Sequence, residues 1–136
     1  MKSLDTSVLV RYYAADDKQQ HAAVVAMLKK EAALFVPKAV VQELWWVLTK
    51  VERYKFEDAK VRQVISHLAG IHSIILEDAE EIMTALEFQR KGIGFADALH
   101  LAASSGCTEL LTFDNKLAKR ANMLGLKPTC IVPGRI

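Results

Sequence analysis

Leu4-Asp5-Thr6-Ser7-Val8-Leu9-Val10 decides how this chain is read: the run Met1-Lys2-Ser3-Leu4 stops at an acid, and two hydroxyl residues then lead into an apolar pattern. Asp, Ser and Thr offer side-chain oxygens to the unpaired N–H groups of a helix's first turn. The stretch therefore predicts a short strand ending at Leu4 and a helix starting beside Asp5. The same grammar returns near the other end, where Glu109-Leu110-Leu111-Thr112-Phe113 runs into Asp114-Asn115 and a helix from Lys116 to Leu124, closed by Gly125.

Between these two points, helical and strand-like patterns alternate. Lys18 to Lys30 carries Ala22, Val25, Ala26 and Leu28 at helical spacing, and Leu34-Phe35-Val36 is a strand closed by Pro37. A helix over Lys38 to Val51 has its apolar stripe at Val40, Leu44, Val47 and Leu48, which puts Glu43 on the buried side. Phe56-Glu57-Asp58 opens a helix through Val61, Val64, Ile65 and Leu68 that Gly70 ends, and His72 to Leu76 reads as a strand. Ile82, Ala85, Leu86 and Gln89 mark a further helix, stopped by Gly92-Ile93-Gly94. An alanine-rich helix over Phe95 to Ser105 follows, with Gly106 as its stop, and a last strand lies near Thr129 to Val132. Short strands alternating with helices predict an α/β fold, a mostly parallel twisted sheet of about five short strands flanked by helices.

Length and composition bound the possibilities. At 136 residues, with 51% hydrophobic and 25% charged residues, the chain is expected to form a single domain over 1–136 with a self-sufficient core. Cys107 and Cys130 have no CxxC spacing, and Lys2 and Asp5 interrupt the N-terminus before any apolar leader segment. Small buried thiols in a reducing, cytoplasmic setting are expected. No uncharged apolar run approaches the ~18 residues of a membrane span. A net charge of +2 is too small to argue nucleic-acid binding by itself.

The chemistry rests on four acids: Asp5, Glu43, Asp97 and Asp114. Capping accounts for Asp5 and Asp114 taken singly, and an acid in a first turn, as at Asp97, answers the helix dipole. Together they carry a different implication, because ligands of an open parallel sheet bind beyond the carboxyl ends of its strands. Crowded carboxylates raise one another's pKa unless a cation neutralises them, and oxygen-only ligands suit Mg²⁺ or Mn²⁺ better than zinc. The histidines, His21, His67, His72 and His100, show no zinc-binding spacing, and a packing or surface role is expected for His100.

Leu4-Asp5-Thr6-Ser7-Val8-Leu9, Glu43, Phe95-Ala96-Asp97-Ala98-Leu99-His100-Leu101-Ala102-Ala103 and Leu111-Thr112-Phe113-Asp114-Asn115-Lys116, in that order, resemble a PIN domain, and within that superfamily the VapC-type toxins of toxin–antitoxin pairs. The resemblance implies Mg²⁺- or Mn²⁺-dependent cleavage of RNA, dimerisation and a cognate antitoxin. It further implies that Asp5 and Asp97 are principal metal ligands, Glu43 a second acid, Asp114 a ligand through water or at a second ion, and Thr112 a hydroxyl supporting the cluster, with Thr6 or Ser7 able to do likewise.

Candidate phosphate contacts are Arg11, Lys38, Lys50, Arg53, Lys55, Lys116, Lys119 and Arg120, although a solvated face explains most surface charges. Candidate stacking residues are Tyr12, Tyr13, Trp45, Trp46 and Tyr54. Neighbours on a helix point about 100° apart, so Trp45 and Trp46 cannot both enter one core stripe, and at least one is expected in an interface. Other classes fit less well. A haloacid-dehalogenase-type DxDxT pattern needs an acid at Ser7, a receiver domain needs an acceptor Asp after a central strand, and no glycine-rich phosphate loop occurs. A non-catalytic RNA- or protein-binding module on the same scaffold is the main alternative.

Overall fold

The computed structural model describes residues 1–134. Seven helices and five short strands occur among them, all five strands in parallel ladders. Contacts cluster into two units, one from Met1 to Ala79 and one from Glu80 onward.

The first unit runs β1 (Lys2–Ser3), α1 (Thr6–Ala14), α2 (Lys18–Lys30), β2 (Leu34–Val36), α3 (Lys38–Lys50), α4 (Asp58–Gly70) and β3 (Ile74–Leu76). Parallel neighbours need crossover connections. The pair α1 and α2 supplies one between β1 and β2, and α3 and α4 supply the other. The sheet order is β1-β2-β3, with Ser3 opposite Phe35 and Phe35 opposite Ile75. Leu34 and Val36 point inward, and α1 packs on α2 and α3.

The second unit runs α5 (Ala79–Arg90, starting at the junction), α6 (Phe95–Ala103), β4 (Glu109–Leu111), α7 (Asn115–Met123) and β5 (Thr129–Ile131). Here α7 is the crossover of a two-stranded parallel sheet, with Leu110 opposite Cys130. Ile82, Ala85, Ala98, Leu101 and Ala121 are buried.

Several sequence expectations change. The strands form two sheets, three and two strands wide, rather than one ladder of about five. Each ladder holds only two or three residue pairs, so pairing joins only strands linked by a crossover. The buried stripe of α3 is Val41, Leu44, Trp45 and Leu48, while Glu43 is exposed. Two residues beyond Val41 is a rotation of about 200°, which turns Glu43 away from that stripe. The stripe shifts because it takes in the large indole of Trp45 in place of Val47. Gly70 is the last residue of α4 rather than its stop, and the cap is Ile71 in extended conformation. The alanine-rich helix ends at Ala103, capped by Ser104, ahead of Gly106. Gly125 does end α7 in a left-handed conformation, φ 70°. Cys130 is buried, and desolvation raises its thiol pKa, but Cys107 is exposed. No described helix is long and apolar enough to cross a membrane.

Candidate functional site

In the first unit, Asp5 sits at the carboxyl end of β1, whose ladder Leu4 extends by donating its N–H to the Phe35 carbonyl at 2.9 Å. Asp5 occupies the N-cap of α1, yet its carboxylate makes no capping bond. Instead Oδ2 accepts from the Ser7 hydroxyl at 2.9 Å. The next residue, Thr6, is buried and donates its hydroxyl to Glu43 Oε1 across from α1 to α3. Asp5, Thr6 and Glu43 are thus linked by chain and hydrogen bond, although Glu43 lies off the core stripe.

In the second unit, Asp97 in the first turn of α6 and Asp114 at the N-cap of α7 line one cavity of about 720 Å³. Asp114 does cap: Oδ1 accepts from the Leu117 N–H at 3.0 Å. Its own N–H is held by Thr112 Oγ1 at 3.0 Å, so this hydroxyl supports the acid through the backbone. His100 is exposed, one turn beyond Asp97. None of the four acids is ion-paired among the described residues, whereas Asp16, Glu31, Glu52, Asp78 and Glu87 are. Among the described residues no group of three or more His, Cys, Asp or Glu side chains is gathered closely enough to hold an ion.

The two N-caps make different demands. In EDTA, Asp114→Ala is expected to cost about 1 kcal/mol of stability, while Asp114→Asn is near neutral, because Asn caps as well as Asp. Asp5→Ala removes no capping bond and is expected to cost less than Asp114→Ala. Urea denaturation of the three variants checks this, and an equal loss at both alanine positions would contradict it.

Of the five candidate phosphate-binding cations in the first unit, four are ion-paired, and Lys50 is exposed without an ion pair among the described residues. In the first unit Arg11 and Arg53 approach Asp16 at 3.4 and 3.5 Å, Lys38 meets Asp78 at 2.8 Å and Lys55 meets Glu52 at 3.1 Å. Desolvation opposes ionisation of Asp16, but the Tyr54 hydroxyl and the two guanidinium groups outweigh it and hold this carboxyl below its ordinary range. Lys116, Lys119 and Arg120, by contrast, line the cavity with Asp97 and Asp114. Lys91 joins them there. Sequence reading missed it, and the available signal was the Gly92/Gly94 pair, which brings the chain around just before Phe95.

The aromatic candidates divide as well. Trp45 is 8% exposed and Trp46 58%, as their angular separation requires. Tyr12 stacks on His21 and His67, with centroids 5.6 and 6.4 Å away. The Tyr13 hydroxyl lies 2.9 Å from His67 Nδ1, and burial pushes its pKa well above the usual value. These four residues, with Lys60, Gln63 and neighbours, line a hollow of about 430 Å³. Tyr54 is engaged with Arg11 and Asp16.

No curated protein matches the chain. Among solved structures it is similar to VapC20 of Mycobacterium tuberculosis, described as a sarcin–ricin loop cleaving toxin, at 16% identity and a TM-score of 0.41 over 95% of this chain and 98% of that one. The PIN domain family matches residues 3–123, from β1 through α7, and that span takes in all four acids and Thr112. The chain belongs to the PIN domain family.

Proposed function

We propose that this chain is a metal-dependent endoribonuclease and the toxin of a toxin–antitoxin pair, working as one domain in the cytoplasm. The observation that carries this reading is the pairing of acids within each unit: Asp97 with Asp114 in one cavity, and Asp5 with Glu43 through Thr6, all without a basic partner among the described residues. The family match runs through both units without a break, which supports a single domain.

The donor set is entirely oxygen, which fits a hard divalent cation, Mg²⁺ or Mn²⁺. The acids this reading assigns as ligands are Asp5 and Glu43 in the first unit and Asp97 and Asp114 in the second. An ion bound by these acids would supply a water of lowered pKa and a polarised phosphoryl oxygen, the chemistry that phosphodiester hydrolysis needs. The protein's own contribution is orientation. Thr6 holds one oxygen of Glu43, Ser7 holds Oδ2 of Asp5, and Leu117 engages Oδ1 of Asp114, which leaves Asp114 Oδ2 for a ligand. Thr112 fixes the backbone from which Asp114 projects.

Self-association and capture of an antitoxin belong to the same reading, with Trp46 as the anchor. Large aromatics commonly carry interface energy, and Trp46 is the exposed member of its pair. The purified chain is expected to cut RNA with Mg²⁺ or Mn²⁺ and to stop in EDTA. Its expression should arrest growth unless a co-encoded partner is present, and Trp46→Ala should weaken capture of that partner. RNA left intact with either ion overturns the nuclease reading, and RNA binding without cleavage supports a non-catalytic module instead.

A further inference from the structure

The outer face of α3 offers one large ring among polar groups. Trp46 is 58% exposed, and the residues that surround it on the helix surface, at i−4, i−3, i+3 and i+4, are Gln42, Glu43, Thr49 and Lys50. A single exposed hydrophobe is ordinary on a protein surface. The surroundings single this one out. Protein–protein interfaces are depleted of charge at their core, whereas Trp46 stands between a carboxylate and an amine. Gln42, Glu43 and Lys50 are exposed, and neither Glu43 nor Lys50 is ion-paired among the described residues. The Thr49 hydroxyl is already spent, donating to the Trp45 carbonyl at 2.7 Å.

Glu43 and Trp46 lie one turn apart on the same face, their Cβ atoms about 5–6 Å from each other. Thr6 donates its hydroxyl to Glu43 Oε1 from α1, so the acid beside the indole is held from another helix. Lys50 follows one turn further on. Carboxylate, indole and amine therefore form a line along two turns, and none of the three lines the cavity of Asp97 and Asp114. The helix dipole accounts for a lysine in the last turn. It does not account for the indole, since a bulky ring loses rotamer freedom against the preceding turn and is a weaker helix former than alanine or leucine. A nucleotide is complementary to this line. Its base offers a flat π face, and its phosphates offer anions to an amine on one side and to an ion held by a carboxylate on the other.

We infer that Trp46 determines substrate specificity: its indole stacks on the unpaired base next to the phosphate that meets Glu43, and Lys50 contacts the backbone on the far side of that base. An indole overlaps a purine over more area than a pyrimidine, so a purine is favoured at this position. RNA as the ligand rests on the ribonuclease reading, and the choice of residues rests on the face of α3 alone. A protein partner anchored on the same ring would exclude the base.

The test uses intrinsic fluorescence. The chain has two tryptophans, and Trp45 is buried, so a base that stacks on Trp46 quenches the accessible emitter. A short RNA strand titrated in EDTA, where metal-dependent cleavage stops, is expected to quench wild-type emission but not that of Trp46→Phe, whose remaining indole is buried. An abasic site walked along the strand should abolish the quenching at one position. Trp46→Ala should bind the strand about tenfold more weakly, while Trp46→Phe, which keeps a ring, should lose less. Lys50→Gln should flatten the slope of log affinity against log salt by about 0.7, the share of one phosphate contact to a single strand. With Mg²⁺, Trp46→Ala should raise KM while kcat stays close to wild type, and should lose the purine preference at the cut site. Equal quenching in wild type and Trp46→Phe, an unchanged salt slope in Lys50→Gln, a loss in Trp46→Ala confined to capture of the partner, or absence of RNA binding overturns the inference. Quenching with the expected losses in a chain that never cuts sinks only the nuclease reading, and cleavage with an unchanged KM in Trp46→Ala sinks only the stacking.

Discussion

Asp97→Ala is expected to lower metal-dependent RNA cleavage by more than about a hundredfold, since even the outer partners of metal ligands are worth about 10- to 100-fold. Asp97 is only partly buried in the first turn of α6, so its loss leaves no buried charge unpaired and should leave the fold intact. Asp5→Ala is expected to match it, for this carboxylate performs no capping and its bond from the Ser7 hydroxyl is exposed. Ion binding to the folded state raises the melting temperature by linkage, and each variant should lose that rise. Cleavage rates and melting curves with and without Mn²⁺ are the measurements. A purified Asp97→Ala protein that cuts at the wild-type rate, or keeps the full metal-induced rise, would remove Asp97 from the metal site.

Leu44→Ala and Leu101→Ala are each expected to cost about 2–5 kcal/mol, the scale of a large-to-small change in a packed core. Both side chains are fully buried, Leu44 in the α3 stripe of the first unit and Leu101 in α6 of the second. If the chain folds as one domain, calorimetry should show a single transition that either substitution moves down. Two separated transitions, with each substitution moving one, would overturn the single-domain reading. A loss below about 1 kcal/mol at either position would mean that the site collapses around the cavity.

The helices and strands were largely legible because period and punctuation are local. Alternating strand and helix patterns marked all twelve elements, and Asp114 and Gly125 begin and end α7 in the way their short-range chemistry requires. The ladder was less legible. With strands of two or three residues, the sequence contains parallel pairing in general terms, whereas the division into β1-β2-β3 and β4-β5 follows from which crossovers actually bring strands together.

The acids show where local reading stops. Asp5 and Asp114 carry the same sequence signature, an Asp between a strand and a helix, but only Asp114 spends an oxygen on its cap. A hydroxyl two residues on, Ser7, competes for Asp5, and whether an N–H or an O–H reaches a carboxylate depends on backbone angles that residue identity does not state. Its spacing from Val40 and Val47 puts Glu43 on the core face. The larger indole of Trp45 claims that face instead, and Thr6 reaches Glu43 from another helix.

By itself, then, the sequence determined the element order, the family motifs and the identity of the four acids, since these depend on residue type and spacing along the chain. Only the tertiary structure decided which cations are already neutralised. Arg11, Lys38, Arg53 and Lys55 look equivalent to Lys116, Lys119 and Arg120 as letters. An ion pair forms between side chains brought within about 4 Å by folding, and in this protein folding gives acids to the first group while it lines the cavity of Asp97 and Asp114 with the second.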